Sequence, residues 1–333
     1  MPAFLKLIRL PNLLIIAFTM YMVRYCLVLP IVRQAGLELM MPDLFFFLIT
    51  LSTVMVAAAG YVINDYFDMK IDTINKPDEV VVDKGVKRRV AMGAHALITT
   101  LGVFIGAGIS YLSGLFMVGT MIFVFSTASL WFYSTTFKRQ FLTGNLLIAV
   151  LSALIPLVAA LYEMSFVTRQ ARLELPFEVI STMNEGILTV LSGYAFFAFA
   201  TSLLRELIKD TEDHEGDEVF GCKTLPVVWG VRTAKYVSAF ICLSILALIS
   251  YLSFSYVIFL GSEGATGLSM VPFYYVLFAV QLPLLALFVM LLLAHDKKHF
   301  RWASFVTKFI MLTGISFLFI FRHQLESGNW VIV

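Results

Sequence analysis

Two short acidic stretches interrupt a chain that is otherwise poor in charge: NDYFDMKID, from Asn64 to Asp72, and KDTEDHEGD, from Lys209 to Asp217. Each helical residue advances about 100°, so with Asn64 at zero, Asp68 falls at about 40°, Asp72 at about 80° and Asp65 at about 100°. One narrow helix face therefore carries all four groups. Asp210, Asp213 and Asp217 repeat the spacing of Asp65, Asp68 and Asp72, covering about 60° of a face. Such an echo suggests one functional unit present twice. Six carboxylates on two facing helix ends repel each other unless something positive sits between them. Oxygen donors without His or Cys suit a hard cation, Mg2+, which keeps some of its waters and binds carboxylates together with substrate phosphates. The candidate metal ligands are Asn64, Asp65, Asp68, Asp72, Asp210, Asp213 and Asp217. A calcium loop is disfavoured, because the glycine at loop position six is missing. Solvated helix ends are the bland alternative for one motif, and two motifs with identical spacing weigh against it.

Basic residues surround both motifs. Lys76, Lys84, Lys87, Arg88 and Arg89 follow the first, Arg205, Lys209 and Lys223 flank the second, and YSTTFKRQ supplies Lys138 and Arg139. Carboxylate-held metal combined with Lys and Arg is how proteins grip a diphosphate. The candidates for that role are Lys76, Arg88, Lys138, Arg139, Arg205, Lys209 and Lys223. Taken singly, each is explained as well by the basic bias of membrane loops. Arg205 and Lys138 are favoured, since they lie at the ends of apolar runs close to the acids.

The elements that must position these groups are membrane helices. Of 333 residues, 60% are hydrophobic and 14% charged, with mean hydropathy +0.89, well outside the soluble range of roughly 45–50% apolar and 25% charged. Apolar runs of the length that crosses a bilayer recur near 11–30, 44–63, 92–112, 115–134, 143–162, 187–207, 234–256, 271–293 and 303–321. Dyad alternation of the barrel kind is absent. The expected fold is all-α: a polytopic bundle of about nine transmembrane helices forming a single domain over 1–333, with polar loops at 64–91 and 208–233. Nineteen of the 24 Lys and Arg residues fall on the side of the N-terminus and the two acidic loops, which the positive-inside rule makes cytoplasmic, with the C-terminus outside. The N-terminal run lacks a small-residue cleavage site and reads as a retained first span. Cys26, Cys222 and Cys242 show no paired spacing, so neither disulfides nor a thiolate metal site is expected. His295 and His299, spaced i,i+4 among lysines, read as interfacial residues.

The motifs together resemble the UbiA superfamily of intramembrane prenyltransferases. The matching residues are Asn64-Asp65-x2-Asp68-x3-Asp72 followed by Lys76-Pro77, Asp210-x2-Asp213-x3-Asp217 followed by GCKTLP, the block from Tyr133 to Asn145, and RLPN from Arg9 to Asn12. The resemblance covers nearly the whole chain, in order. It implies Mg2+-dependent transfer of an isoprenyl group from a polyprenyl diphosphate to a lipophilic acceptor within the membrane of a prokaryote, with membrane lipids around it and no nucleic-acid partner. Asn64, Asp68, Asp72, Asp213 and Asp217 would be catalytic, and Asn12 and Tyr133 would contact substrate. Asn12 has an equal claim to be a helix cap. The acceptor hydroxyl would need a base, with Asp72 and Asp210 both open to that role. The run from Arg205 to Asp217 with GCKTLP is most similar to digeranylgeranylglyceryl phosphate synthase-like members, which points to a glycerolipid acceptor. The alternative is an aromatic acid of quinone biosynthesis. The allylic cation left by ionisation needs aromatic faces. Tyr61, Tyr66, Phe67, Trp131, Phe132, Tyr133, Tyr194, Phe196, Phe197 and Phe199 lie near the motifs, although most are expected to pack or face lipid. A carrier would place its charges near the bilayer midplane, whereas these acids sit at span ends.

Overall fold

The computed structural model describes residues 3–78, 80–262 and 269–332, with backbone only for 258–262. Among them, nine helices are long and apolar enough to cross a membrane: α1 (Leu10–Gln34), α2 (Asp43–Asn75), α3 (Arg88–Leu112), α4 (Phe116–Thr135), α5 (Thr143–Glu174), α6 (Phe177–Val219), α7 (Val231–Val257), α8 (Val271–Leu293) and α9 (Lys297–Glu326). The bundle is all-α and multi-pass. Of their apolar windows, 72% of α1 and 56% of α2 are buried against 17% of α4, so α1 and α2 form the centre and α4 the rim. Phe104, Tyr111, Met117 and Phe240 are exposed apolar side chains on α3, α4 and α7, as expected where the neighbour is lipid.

Two helices run on where the sequence suggested loops. The acidic motifs do not end α2 and α6; they are their last three turns. Aspartate does not break a helix, and Ile71, Ile208, Thr211 and Gly216 keep an inward face buried through both motifs. α2 stops just before Pro77, whose ring cannot continue it, and α6 stops before Gly221 at φ +68°. At 1.5 Å per residue the 33 residues of α2 reach about 50 Å, well past an apolar layer of about 30 Å. The stretch 163–186, expected as a connection, is likewise almost all helix, broken only at Leu175–Pro176.

Short motifs settle the helix ends. Arg9 takes a left-handed conformation (φ 52°, ψ 52°), and Pro11 follows in the first turn of α1, where its fixed φ suits a helix start. Asn12 therefore lies inside the helix and is no cap. Gly114 closes the α3–α4 turn at φ +70°, a left-handed conformation that glycine adopts without strain. Pro30 and Pro283 each follow a widened π-helical segment, Val23–Val28 and Leu277–Gln281, which accommodates the missing N–H. His299 forms a capping box with Asp296 at the start of α9.

Candidate active site

The ends of α2 and α6 stand as two jaws on one polar cavity of about 480 Å3. Their tips are joined. Asn75, buried at the end of α2, accepts a hydrogen bond on Oδ1 from the Gly216 N–H of α6 at 2.9 Å, and its carbonyl accepts another from Lys297 Nζ of α9 at 2.8 Å. A Cβ on Gly216 would meet the Asn75 amide at 2.6 Å, so glycine is what lets the jaws approach. Further up, Asn145 of α5 donates to Asp210 Oδ2 at 2.7 Å.

The acids are held by cations from several elements. Lys76 crosses from the α2 side to Asp213 on α6 at 2.8 Å, Lys138 pairs with Asp68, and Arg9 donates to Asp65 at 2.7 Å. Thr224 donates to Asp217 Oδ2 at 3.3 Å. Among the described residues, no three His, Cys, Asp or Glu side chains already converge on one point. The ammonium groups do the neutralising instead. Acceptor oxygens are nevertheless left over: Asp213 Oδ1 and Asn64 Oδ1 are buried without a hydrogen-bond partner. Buried lone pairs without a partner cost free energy, and here two of them sit on the two opposed motifs. Orphaned oxygens among an all-oxygen donor set fit a hard divalent cation.

A second cavity of about 260 Å3 lies deeper, between α1, α2, α4, α5, α6 and α9. Its wall is apolar, including Val56, Ile155, Phe197, Ile315 and Leu318. Arg9, Asn12, Asn64, Tyr133, Arg205, Lys209 and Lys308 border both cavities and form the seam between them. Of the aromatic candidates, Tyr61, Tyr133, Tyr194 and Phe197 face the apolar cavity, while Trp131, Phe132 and Phe196 are exposed on the outside of the bundle.

Of the residues singled out from sequence, Asn12, Asn64, Asp65, Asp68, Asp72, Lys76, Tyr133, Lys138, Arg205, Lys209, Asp210, Asp213 and Asp217 line the polar cavity. Arg88, Arg139 and Lys223 do not. Arg88, at the start of α3, packs its guanidinium over the Tyr66 ring at 5.1 Å. Arg139 and Lys223 brace each other through the backbone, with the Lys223 N–H donating to the Arg139 carbonyl at 2.8 Å. Asn12 lies 3.4 Å from the Tyr61 hydroxyl. The wall also holds residues that spacing did not reveal: Lys6, Arg9, Asn75, Glu212, Arg301 and Lys308. For Lys308 a signal existed, since it is a lone cation inside the apolar run 303–321. Cys222 also lines the cavity. Burial and then the Asp217 carboxylate push its thiol up to about 11, so it is no nucleophile near neutrality.

The geometry defines an intramembrane bundle with two acidic jaws over an apolar pocket, and the chain belongs to the UbiA prenyltransferase family, whose model matches residues 34–313. Among relatives, the digeranylgeranylglyceryl phosphate synthase of Methanobrevibacter smithii is 32% identical over 206 residues, which is 61% of this chain and 64% of that protein. Across the first curated relatives the matched region spans 57% to 64% of their length. A solved digeranylgeranylglyceryl phosphate synthase structure shares the fold at TM-score 0.59 and 20% identity, covering 96% of this chain and 97% of its own. The structure of a UbiA homolog from Archaeoglobus fulgidus bound to DMAPP and Mg2+ shares it at TM-score 0.50 and 15% identity, covering 96% and 99%.

Proposed function

We propose that this chain transfers a prenyl group from a polyprenyl diphosphate to the hydroxyl of a prenylated glyceryl phosphate. One observation carries the reading: two acidic jaws with unsatisfied buried oxygens border a polar cavity that opens directly into an apolar, aromatic-lined one. That junction suits a molecule with an anionic head and an isoprenoid tail. The named relatives are digeranylgeranylglyceryl phosphate synthases, which favours the glycerolipid over an aromatic acid as acceptor.

Asn64, Asp65, Asp68 and Asp72 from α2, with Asp210, Asp213 and Asp217 from α6, would hold Mg2+, as the solved homolog bound to DMAPP and Mg2+ suggests. When bound, the ion offsets the charge that develops on the diphosphate as the C1–O bond breaks. Lys76 and Lys138, now on Asp213 and Asp68, are placed to turn to the diphosphate oxygens. Tyr61, Tyr133 and Phe197 offer ring faces to the allylic cation. The apolar wall excludes the water that would quench it. As the acceptor oxygen bonds to C1, its proton leaves to whichever carboxylate the metal does not take up, for which Asp72 and Asp210 are the candidates. The basic bias of the connections puts this end of the bundle in the cytoplasm, with the C-terminus outside.

The test is direct. Purified protein in detergent receives labelled geranylgeranyl diphosphate and a panel of acceptors, with Mg2+ or with chelator. Label should move to geranylgeranylglyceryl phosphate in Mg2+ only. Transfer to hydroxybenzoate alone would replace the acceptor assignment; no transfer to any acceptor would remove the function.

A further inference from the structure

Six cations of the cavity wall, besides Lys6 and Arg301, fall into two groups. Lys76 and Lys138 pair with motif aspartates on the jaws. The second group sits at the seam: Arg9 before α1, Arg205 and Lys209 one turn apart on α6, and Lys308 on α9. Arg9 is paired with Asp65 and Arg205 with Glu206 at 2.7 Å each. Among the described residues Lys209 and Lys308 have no ion pair. In addition, Arg205 Nε is buried without a hydrogen-bond acceptor. A concentration of like charge beside an apolar cavity is costly unless an anion shares it.

A donor diphosphate and an anionic acceptor must approach within bonding distance of each other. Their heads repel, so each needs its own counter-charges. Lys308 is one turn from Met311 and two from Ile315, both on the apolar cavity wall, so an anion at Lys308 has its chain entering that cavity. We propose that Lys308, with Lys209, Arg205 and Arg9, forms a second oxyanion site that takes the phosphate monoester of the acceptor. It is distinct from the jaw-side site of the diphosphate, which keeps Lys76 and Lys138, and it reassigns Arg205 and Lys209 from the diphosphate role that their place beside the acids suggested. A phosphate monoester offers three terminal oxygens to these donors, whereas a carboxylate offers two. The proposal rests on the glycerolipid reading above and assigns that reading's acceptor head to named residues.

The experiment compares wild type, Lys308→Met and Lys308→Arg with two acceptors, geranylgeranylglyceryl phosphate and its dephosphorylated alcohol, after melting curves have shown all three proteins folded. Lys308→Met should raise KM for the phosphate roughly 10- to 100-fold, the loss of one hydrogen bond to a charged group. KM for the alcohol and for geranylgeranyl diphosphate should each move by less than about two-fold, and Lys308→Arg should restore most of the phosphate affinity. A rise in KM for the diphosphate instead, or an equal rise for both acceptors, overturns the site. Equilibrium binding of labelled geranylgeranylglyceryl phosphate without donor separates the two claims. Binding that depends on Lys308 without turnover removes the proposed function and keeps the site. Turnover with binding indifferent to Lys308→Met removes the site and keeps the function.

Discussion

The two ends of the bundle both bury charge, and they do so in opposite ways. At the end away from the jaws, Arg24 of α1 is 2% exposed and Glu163 of α5 is 0% exposed. Arg24 pairs with Glu163 and Asp43 at 3.1 Å each and donates to the Met41 carbonyl at 2.6 Å, with the Phe46 ring beneath it. Glu163 also accepts from the Met40 and Met41 N–H groups. Charge there is closed on itself, tying the α1–α2 connection to α1 and α5. At the jaw end, six motif aspartates crowd on two helices, and cations from other elements pair with Asp65, Asp68 and Asp213 alone among them; buried atoms without a hydrogen bond occur at both ends, on Arg24 and Glu163 as on Asp213. A network whose charges are matched by ion pairs within the protein is structural; one that leaves Asp72, Asp210 and Asp217 without an ion pair among the described residues stores an interaction for something that is not protein.

That contrast can be broken by exchanging effects between the ends. Asp68→Asn and Asp213→Asn should lower turnover roughly 10^3-fold or more, in line with losing electrostatic stabilisation of developing charge, while the melting temperature stays level or rises as repulsion is relieved. Activity retained with full melting temperature would make the jaws structural. Glu163→Gln should do the reverse, costing about 3–5 kcal/mol of stability by leaving Arg24 short of its buried partner, with turnover per folded molecule unchanged. Denaturant unfolding in detergent, scored with the assay, reads both. Gly216→Ala probes the jaw spacing itself. Its Cβ collides with the Asn75 amide, so the jaws must part, and a misplacement of this kind should cost turnover roughly 10-fold or more with a smaller change in stability. Unaltered kinetics would show that the tips do not set the site. The smallest effect concerns Cys222. Its thiol is raised from 9.0 to about 11, so the neutral form is favoured in the folded protein. Alkylation of Cys222 should therefore stay slow at pH 8 to 9 and accelerate only as pH approaches 11, whereas the unfolded chain should react from about pH 9. Rapid labelling at pH 8 in the native state would mean the thiol is not enclosed by the jaws.

Much of the site was legible because it is local. Asp65, Asp68 and Asp72 share a helix face by their intervals alone, and so do Asp210, Asp213 and Asp217. What the intervals did not report was that the helix continues through them, since the reading ended each span where apolar residues ended. Charge ends an apolar run but not a helix; proline and left-handed glycine do that. The cations were the least legible. Arg88, Arg139 and Lys223 lie close to the motifs in sequence, yet they stand off the cavity. Arg9 and Lys308 lie far from the motifs, yet they border it. Sequence distance carries no information about which side of a packed helix a long side chain reaches.

The sequence by itself determined that the chain spans a membrane in nine passes, that two acidic faces exist, and which residues each face displays. Those properties follow from hydropathy and from the 100° step, which act within one helix. Only the tertiary structure decided that the faces oppose, that Asn75 against Gly216 sets their gap, that Lys76 crosses to Asp213, and that α9 brings Lys308 to the seam. Each of these joins residues about 100 positions apart or more, and packing between helices, with its steric and electrostatic terms, is the only force that reaches that far along the chain.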